Sequence, residues 1–319
     1  MRRIAILFPR LDVMFKQGYV PEERGPIAPI RVYWKDFAEN LADYHSSCGD
    51  HVIFIEKPLW QFTSQLVEDF ACDITYIPHK SVETFPIKAG SGEIRYYMQA
   101  VFPFMFYVDS KGFAGGASFY PLKIDHNAPS TGFYDDMIER ARRNESKFDQ
   151  PRKREIRFPE KFVFFPCQIP HDETIKYHSN VTVEQALEAT CQATRFRDIN
   201  LIVKGHPVNR ESMAPLKSIC DKYNHTIWID DVSIHDIIPH SHAVVCVNSG
   251  TGMEALLHKR PVITFGRCEY DCVTNVATTE DIINVLANPT FDEKEVRAFY
   301  DTWYQLCVDS RNKTSFTKL

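Results

Sequence analysis

Two glycines and two hydroxyls stand together in Asn248-Ser249-Gly250-Thr251-Gly252-Met253-Glu254, between the apolar run Ala243 to Val247 and the helix-like Ala255-Leu256-Leu257-His258. A Gly-rich turn at a strand-to-helix step leaves backbone N–H groups open, with positive helix-dipole charge behind them. Such a turn seats a phosphate. Glu254, about one helical turn further in, has the reach to accept hydrogen bonds from a ribose diol. The pair points to a nucleotide, although many α/β connections carry a similar turn for backbone reasons alone.

Other apolar runs end in polar groups too. Phe162 to Pro166 leads into Cys167-Gln168-Ile169-Pro170-His171-Asp172, Leu201 to Lys204 into Gly205-His206-Pro207, and Pro261 to Phe265 into Gly266-Arg267. Taken singly, Asp172 reads as a helix N-cap, His206 as a loop histidine and Arg267 as a solvated cation. Their convergence on one sheet edge suits a nucleotide-activated sugar. His206, as an imidazolium, together with Ser249, Thr251 and the turn N–H groups, would neutralise the phosphate as it leaves. Asp172 would meet the anomeric carbon, as a nucleophile or as a stabiliser of an oxocarbenium-like state. Asp109, ending the run Phe102 to Val108, is the candidate general base for an acceptor hydroxyl, with a capped turn as its plainer reading.

The elements that must position these residues alternate clearly in the second half. Strand-like runs at Phe162 to Pro166, Leu201 to Lys204, Thr226 to Ile229, Ala243 to Val247 and Pro261 to Phe265 alternate with helical segments at Val183 to Arg195, Arg210 to Tyr223, Ser233 to Ile238, Gly252 to His258 and Glu280 to Leu286. This pattern predicts a parallel sheet covered on both faces. The first half repeats it less cleanly, with strands at Ile4 to Phe8, Val52 to Glu56 and Ile74 to Ile77 and a helix at Trp34 to Tyr44. We expect a first domain over residues 1–150, a nucleotide-sugar domain over 151–290, and a C-terminal helix in 291–319 that packs back on the first domain through Val296, Phe299, Tyr300, Trp303, Tyr304 and Cys307. Ligands of open α/β sheets bind outside the carboxyl ends of the strands, so the expected site is a cleft between the two sheets.

Composition sets bounds on the partners. With 319 residues, 44% hydrophobic and 25% charged, the chain is an ordinary two-domain globular protein. A net charge of −5 argues against a broad nucleic-acid-binding face. The basic run Arg140 to Arg143 with Arg152-Lys153-Arg154 reads as a solvated linker at the domain junction. Nine cysteines without a CxxC pair fit buried free thiols in a reducing compartment, and Cys268 with Cys272 lacks the second pair of a zinc site. The aromatic stretch around Tyr96-Tyr97 and Phe102 to Tyr107 is expected to fill a core rather than dock on a membrane. No run is long enough to span a bilayer and no signal peptide is evident, so the expected location is cytoplasmic.

These residues resemble the capsule-polysaccharide-type Kdo (3-deoxy-D-manno-octulosonic acid) transferases, β-Kdo enzymes that use CMP-Kdo and have a GT-B fold. Phe165 to Ile175 is similar to the family's Gln-x-x-x-Asp segment through Gln168 and Asp172. Lys204-Gly205-His206-Pro207 looks like its Lys-x-His-Pro, and Asn248 to Leu257 with Pro261 to Gly266 resembles its nucleotide-binding signature. The resemblance implies an α/β, GT-B-like chain of two Rossmann-like doubly wound domains facing a central cleft. It implies a retaining glycosyltransferase that moves Kdo or a related acidic sugar from a CMP-sugar donor to a saccharide or glycolipid acceptor, with no metal or other cofactor and with peripheral membrane association. Asp172 matches the nucleophilic aspartate, while Lys204, His206, Pro207, Asn248, Ser249, Gly250, Thr251, Gly252 and Glu254 fall to the nucleotide and Gln168 and Arg267 to the donor sugar. In one place the chain departs from the family: its carboxylate-Gly-Phe-x-Arg segment has no counterpart arginine after Asp109-Ser110-Lys111-Gly112-Phe113. A UDP-sugar transferase, a sugar-nucleotide 2-epimerase, a CDP-polyol phosphotransferase and a non-catalytic nucleotide- or glycan-binding module are the alternatives.

Overall fold

The computed structural model describes residues 1–9, 29–88, 92–151, 156–207 and 213–319. In chain order the elements are β1 (Arg3–Pro9), α1 (Pro29–Ser47), β2 (His51–Lys57), α2 (Ser64–Phe70), β3 (Ile74–Pro78), β4 (Glu93–Gln99), β5 (Met105–Asp109) and α3 (Phe133–Arg142). There follow β6 (Phe162–Pro166), α4 (Glu173–His178), α5 (Val183–Phe196), β7 (Asn200–Lys204), α6 (Ala214–Cys220), β8 (Thr226–Ile229), α7 (Ile234–Ile237), β9 (Ala243–Cys246) and α8 (Gly250–Leu257). The chain ends with β10 (Val262–Thr264), β11 (Asn275–Val276), α9 (Ile282–Val285), α10 (Glu293–Leu306) and β12 (Cys307–Asp309). They divide into two compact units, Met1–Ser118 with Gln305–Leu319, and Phe119–Tyr304.

The first unit holds a six-stranded sheet in the order β12-β5-β4-β3-β1-β2. The strands from β1 to β4 are parallel, whereas β5 runs antiparallel to β4 and β12 antiparallel to β5. Strand β1 shows the period of two that buries both faces. Ile4, Ile6 and Phe8 pack with Trp34, Phe37 and Leu41 of α1, while Ala5 and Leu7 pack with Val67 of α2 and with Phe62. Phe37 stacks at 5.0 Å on Tyr97 and at 4.3 Å on Phe106. The stretch Tyr96 to Tyr107 is thus core, as expected, and each such buried ring contributes roughly 1.5–3 kcal/mol.

The second unit has a six-stranded sheet, β11-β10-β9-β6-β7-β8, with every pairing parallel. Numbered from its own first strand this is the order 3-2-1-4-5-6 of dinucleotide-binding sheets. One face, Val163, Phe165, Leu201, Val203, Val245 and Ile263, packs against α5, α6 and α9. Helix α5 starts at a capping box in which Thr182 and Gln185 satisfy each other's backbone N–H groups.

The units part company with the sequence expectation in two places. Residues 119–150 belong to the second unit, because α3 and the segments around it bond to α8 and α10: Thr131 donates to Asp301, Arg297 to Asp135, and Phe133 lies 4.9 Å from Tyr304. The stripe Val296, Phe299, Tyr300 and Trp303 is fully buried within that same unit, with the Tyr300 hydroxyl donating to the Met253 carbonyl at 2.7 Å. Only the tail beyond it returns to the first unit, where Cys307 sits in β12 rather than on the helix. Arg152, Lys153 and Arg154, and the start of the expected helix at Arg210, lie outside the described residues. Among the described residues no helix is long and apolar enough to cross a membrane.

Candidate functional site

In the second unit the strand order reverses at β6, which has β7 on one side and β9 on the other. Chains leaving β6 and β9 diverge there and open a crevice at the carboxyl ends. Gln168, just after β6, bridges it. Its Oε1 accepts from the Val247 and Asn248 N–H groups, each at 3.1 Å, and its Nε2 donates to Asn248 Oδ1 at 2.9 Å. Asn248 Nδ2 in turn donates to the carbonyls of Thr174 at 3.0 Å and Arg267 at 3.3 Å. Both amides are buried and engaged in architecture. Gln168, expected on the donor sugar, instead holds the switch point together, since a buried amide in hydrogen-bond contact on both its oxygen and its nitrogen has little left to offer a ligand.

The turn after β9 also differs in detail from the expectation. Ser249 is the N-cap of α8 and its Oγ accepts from the Thr251 N–H at 3.2 Å, so one of the first-turn donors already has a partner. Gly252 is required by a side chain rather than by a phosphate: a Cβ there would lie 2.5 Å from the Tyr270 hydroxyl, which donates to the Ser249 carbonyl. Glu254 is buried, accepts from Ser146 Oγ at 2.5 Å, and lies 3.9 Å from His235 Nε2. His235 Nδ1 is 2.9 Å from His258 Nε2. Burial pushes the Glu254 carboxyl up to about 7, against the opposing pull of Ser146 and the Lys147 charge.

Asp172 is exposed and caps α4, its Oδ1 accepting from the Thr174 N–H at 2.9 Å and hydroxyl at 2.7 Å. The plainer reading of this residue therefore holds, and it does not displace the chemical one, because both bonds fall on Oδ1. The Asp172 charge acts on both His206 and Lys147. Burial, with help from Lys147 and Lys204, lowers the His206 imidazole to about 4 despite Asp172. It is therefore neutral near pH 7, and the imidazolium expected from the sequence is absent: desolvation disfavours the charge and two nearby cations add to that. Lys204 is buried and its Nζ donates to the Asp230 carbonyl at 2.7 Å. His206, Pro207 and Lys204 line a cavity of about 280 Å³ whose other wall includes Asp149 and Gln150. Arg267 is exposed, donates to the Tyr177 carbonyl at 2.8 Å and lies over the Tyr120 ring.

Asp109 belongs to the first unit and to a different kind of environment. Its Oδ1 accepts from the N–H groups of Lys111, Gly112 and Ser118, and its Oδ2 from the Ser118 hydroxyl at 2.5 Å. Because β5 is antiparallel to β4, with Asp109 paired to Tyr96, the strand runs toward the amino ends of its parallel neighbours. The geometry is that of a turn anchor, which corrects the expectation of an available base.

Sequence reasoning missed the surroundings of Glu254: Ser146, Lys147 and His235, with His258 beside His235, and Glu269 as a further charge acting on Lys147. Lys147 feels the charges of Asp172, Glu269 and Glu254, and desolvation lowers its ammonium to about 8. The single sequence signal was Phe148, an aromatic in an otherwise polar stretch, whose ring stands 5.3 Å from that of His206.

The sheet orders and the polar groups at the carboxyl ends define a Rossmann-like α/β protein of the GT-B class. Residues 126–292 match the family described as capsule polysaccharide biosynthesis protein. The chain belongs to that family. It is 24% identical over 216 residues to the capsule polysaccharide modification protein LipB of Neisseria meningitidis, a match covering 63% of this chain and 51% of that protein. The capsule polysaccharide export protein KpsS of Escherichia coli is 26% identical over 122 residues, covering 35% of this chain and 31% of that protein. The chain thus spans about half the length of LipB. In fold it is similar to the β-Kdo 2,7-transferase structure of Thermosulfurimonas dismutans KpsC, with a TM-score of 0.58 at 17% identity over 94% of this chain and 89% of that one. The β-Kdo 2,4-transferase structure of the same protein gives 0.50 at 15% identity over 82% and 86%.

Proposed function

We propose that this protein is a glycosyltransferase of capsule polysaccharide assembly that moves Kdo or a related acidic sugar from a CMP donor to a saccharide or glycolipid acceptor, with retention of configuration and without a metal. The observation that carries the reading is the cavity lined by Lys204, His206 and Pro207 at the carboxyl end of β7, walled by Asp149 and Gln150 of the segment whose Ser146 bonds Glu254 of α8 and whose Phe148 packs on His206. In this reading the phosphate lies against Ser249, Thr251 and the positive end of α8, and His206 donates a neutral N–H to it. The Asp172 carboxylate attacks the anomeric carbon. The carbon–oxygen bond to the phosphate breaks, and CMP leaves with the electron pair. The acceptor hydroxyl then displaces Asp172 from the opposite side, its proton passing to solvent. Two inversions give net retention. A cytoplasmic site of action at the membrane surface accords with a nucleotide donor and a lipid-linked acceptor.

Incubation with CMP-Kdo and a panel of glycan acceptors, with NMR of the new anomeric centre, tests this. Transfer with retained configuration is the expected result. No transfer, no donor hydrolysis and no CMP binding together would overturn the proposal.

A further inference from the structure

We infer that Lys147 is the cation that takes up the phosphate of the nucleotide donor, carried to the site by the segment between α3 and β6. The inference rests on the CMP-sugar reading above. The segment Asn144-Glu145-Ser146-Lys147-Phe148-Asp149-Gln150-Pro151 has no regular structure, yet hydrogen bonds fix it at both ends. Ser233 Oγ donates to Asn144 Oδ1 at 2.5 Å, Asn144 Nδ2 donates to the Pro151 carbonyl at 2.9 Å, and the Ile234 N–H donates to Gln150 Oε1 at 3.1 Å.

The two residues flanking Lys147 locate it. Ser146 touches Glu254 on α8, the helix that follows β9, and Phe148 touches His206, which follows β7. Strand β6 lies between β7 and β9, so Lys147 stands over the end of β6, from which the chain runs on to Asp172. A lysine there shares its neighbourhood with Asp172, Glu254 and Glu269. Its neighbour Ser146 is bonded to Glu254 of α8, so the ammonium and the positive end of that helix act on the same side of the sheet. With the Asp172 and Glu269 charges acting on this ammonium, an incoming phosphate needs it to offset their repulsion.

The test is calorimetric titration of the full chain with CMP and with cytidine, for wild type, Lys147→Gln and Lys147→Arg, each first shown by its melting curve to be folded. Wild type is expected to prefer CMP over cytidine. Lys147→Gln is expected to lose CMP affinity by about 10- to 100-fold with cytidine affinity unchanged, the worth of one charged hydrogen bond. Lys147→Arg is expected to keep most of the preference, and if the Gln variant does not fold Lys147→Met takes its place: a folded Met variant that prefers CMP over cytidine as wild type does overturns the inference. So does a Gln variant that binds CMP as wild type does, or one that loses affinity for CMP-Kdo but not for CMP, since the lysine would then serve the sugar carboxylate. A wild type that binds neither CMP nor CMP-Kdo fails at the underlying reading, and the inference fails with it.

Discussion

Asp109 and Asp172 look alike in the sequence: each follows a buried strand and opens a polar turn. The structure separates them by the company each keeps. Asp109 has both oxygens taken by three backbone N–H groups and a hydroxyl, at the end of an antiparallel strand. Asp172 is exposed, caps a short helix through one oxygen, and its charge acts on His206 and Lys147 at the carboxyl edge of a parallel sheet. Strand direction decides which edge a carboxylate reaches, and the number of donors around it decides whether it is free to react.

The largest effect expected from this contrast is in Asp172→Asn. Asparagine caps helices about as well as aspartate, so stability should change by less than ~0.5 kcal/mol. Transfer from CMP-Kdo should fall at least ~10³-fold, because the nucleophilic charge is gone. Initial rates beside a melting curve decide it, and unchanged turnover would erase the distinction between the two aspartates. Asp109→Ala should do the reverse, costing about 3 kcal/mol in urea unfolding because four donors lose their acceptor, with transfer per folded molecule within about twofold. A selective loss of rate at intact stability would return Asp109 to the chemistry.

Gln168→Glu sharpens the same point at the switch point. The substitution replaces the donor facing Asn248 Oδ1 with an oxygen, and should cost about 2 kcal/mol while leaving the affinity for CMP close to that of wild type. Denaturant midpoints and calorimetry measure the two halves. A fall in donor affinity without loss of stability would restore Gln168 to the sugar site.

The smallest effect is a slope with pH. The Glu254 carboxyl is raised from 4.5 to about 7, so the native state holds a proton that the unfolded state has lost, and stability falls as pH rises through that window. The His206 imidazole is lowered from 6.5 to about 4, so the unfolded state holds the extra proton and stability rises with pH between those values. Between about pH 4.5 and 6.5 the two oppose each other. Glu254→Gln should therefore unmask a positive slope, and His206→Asn a negative one, each up to ~1.4 kcal/mol per pH unit. Identical slopes in wild type and both variants would show that neither group titrates as its burial demands.

The second sheet was legible because its strands are buried on both faces and read as continuous apolar runs, Phe162–Pro166 among them. Strand β4 escaped because Glu93 and Arg95 interrupt its apolar pattern, and β11 and β12 because two or three residues carry no period. Without β4 the antiparallel setting of β5 was invisible, and with it the true place of Asp109. Asp172, His206 and Glu254 stood out in the sequence because each follows a strand-like apolar run within a few residues. Lys147 did not, since its position depends on which strands are neighbours, and its own segment has the composition of a solvated linker.

The strand β12 that closes the first sheet pairs with β5 some two hundred residues earlier in sequence. During synthesis the second unit, continuous from Phe119 to Tyr304, emerges whole before that strand does. The first unit is therefore completed only after the second, although its first strands are made earlier. Until residues 305–319 arrive, β5 is an open edge carrying Phe106 and Tyr107, paired to β4 on one side only. A chaperone acting on nascent chains has its natural target there, and a translational pause would be felt at that edge more than anywhere in the second unit.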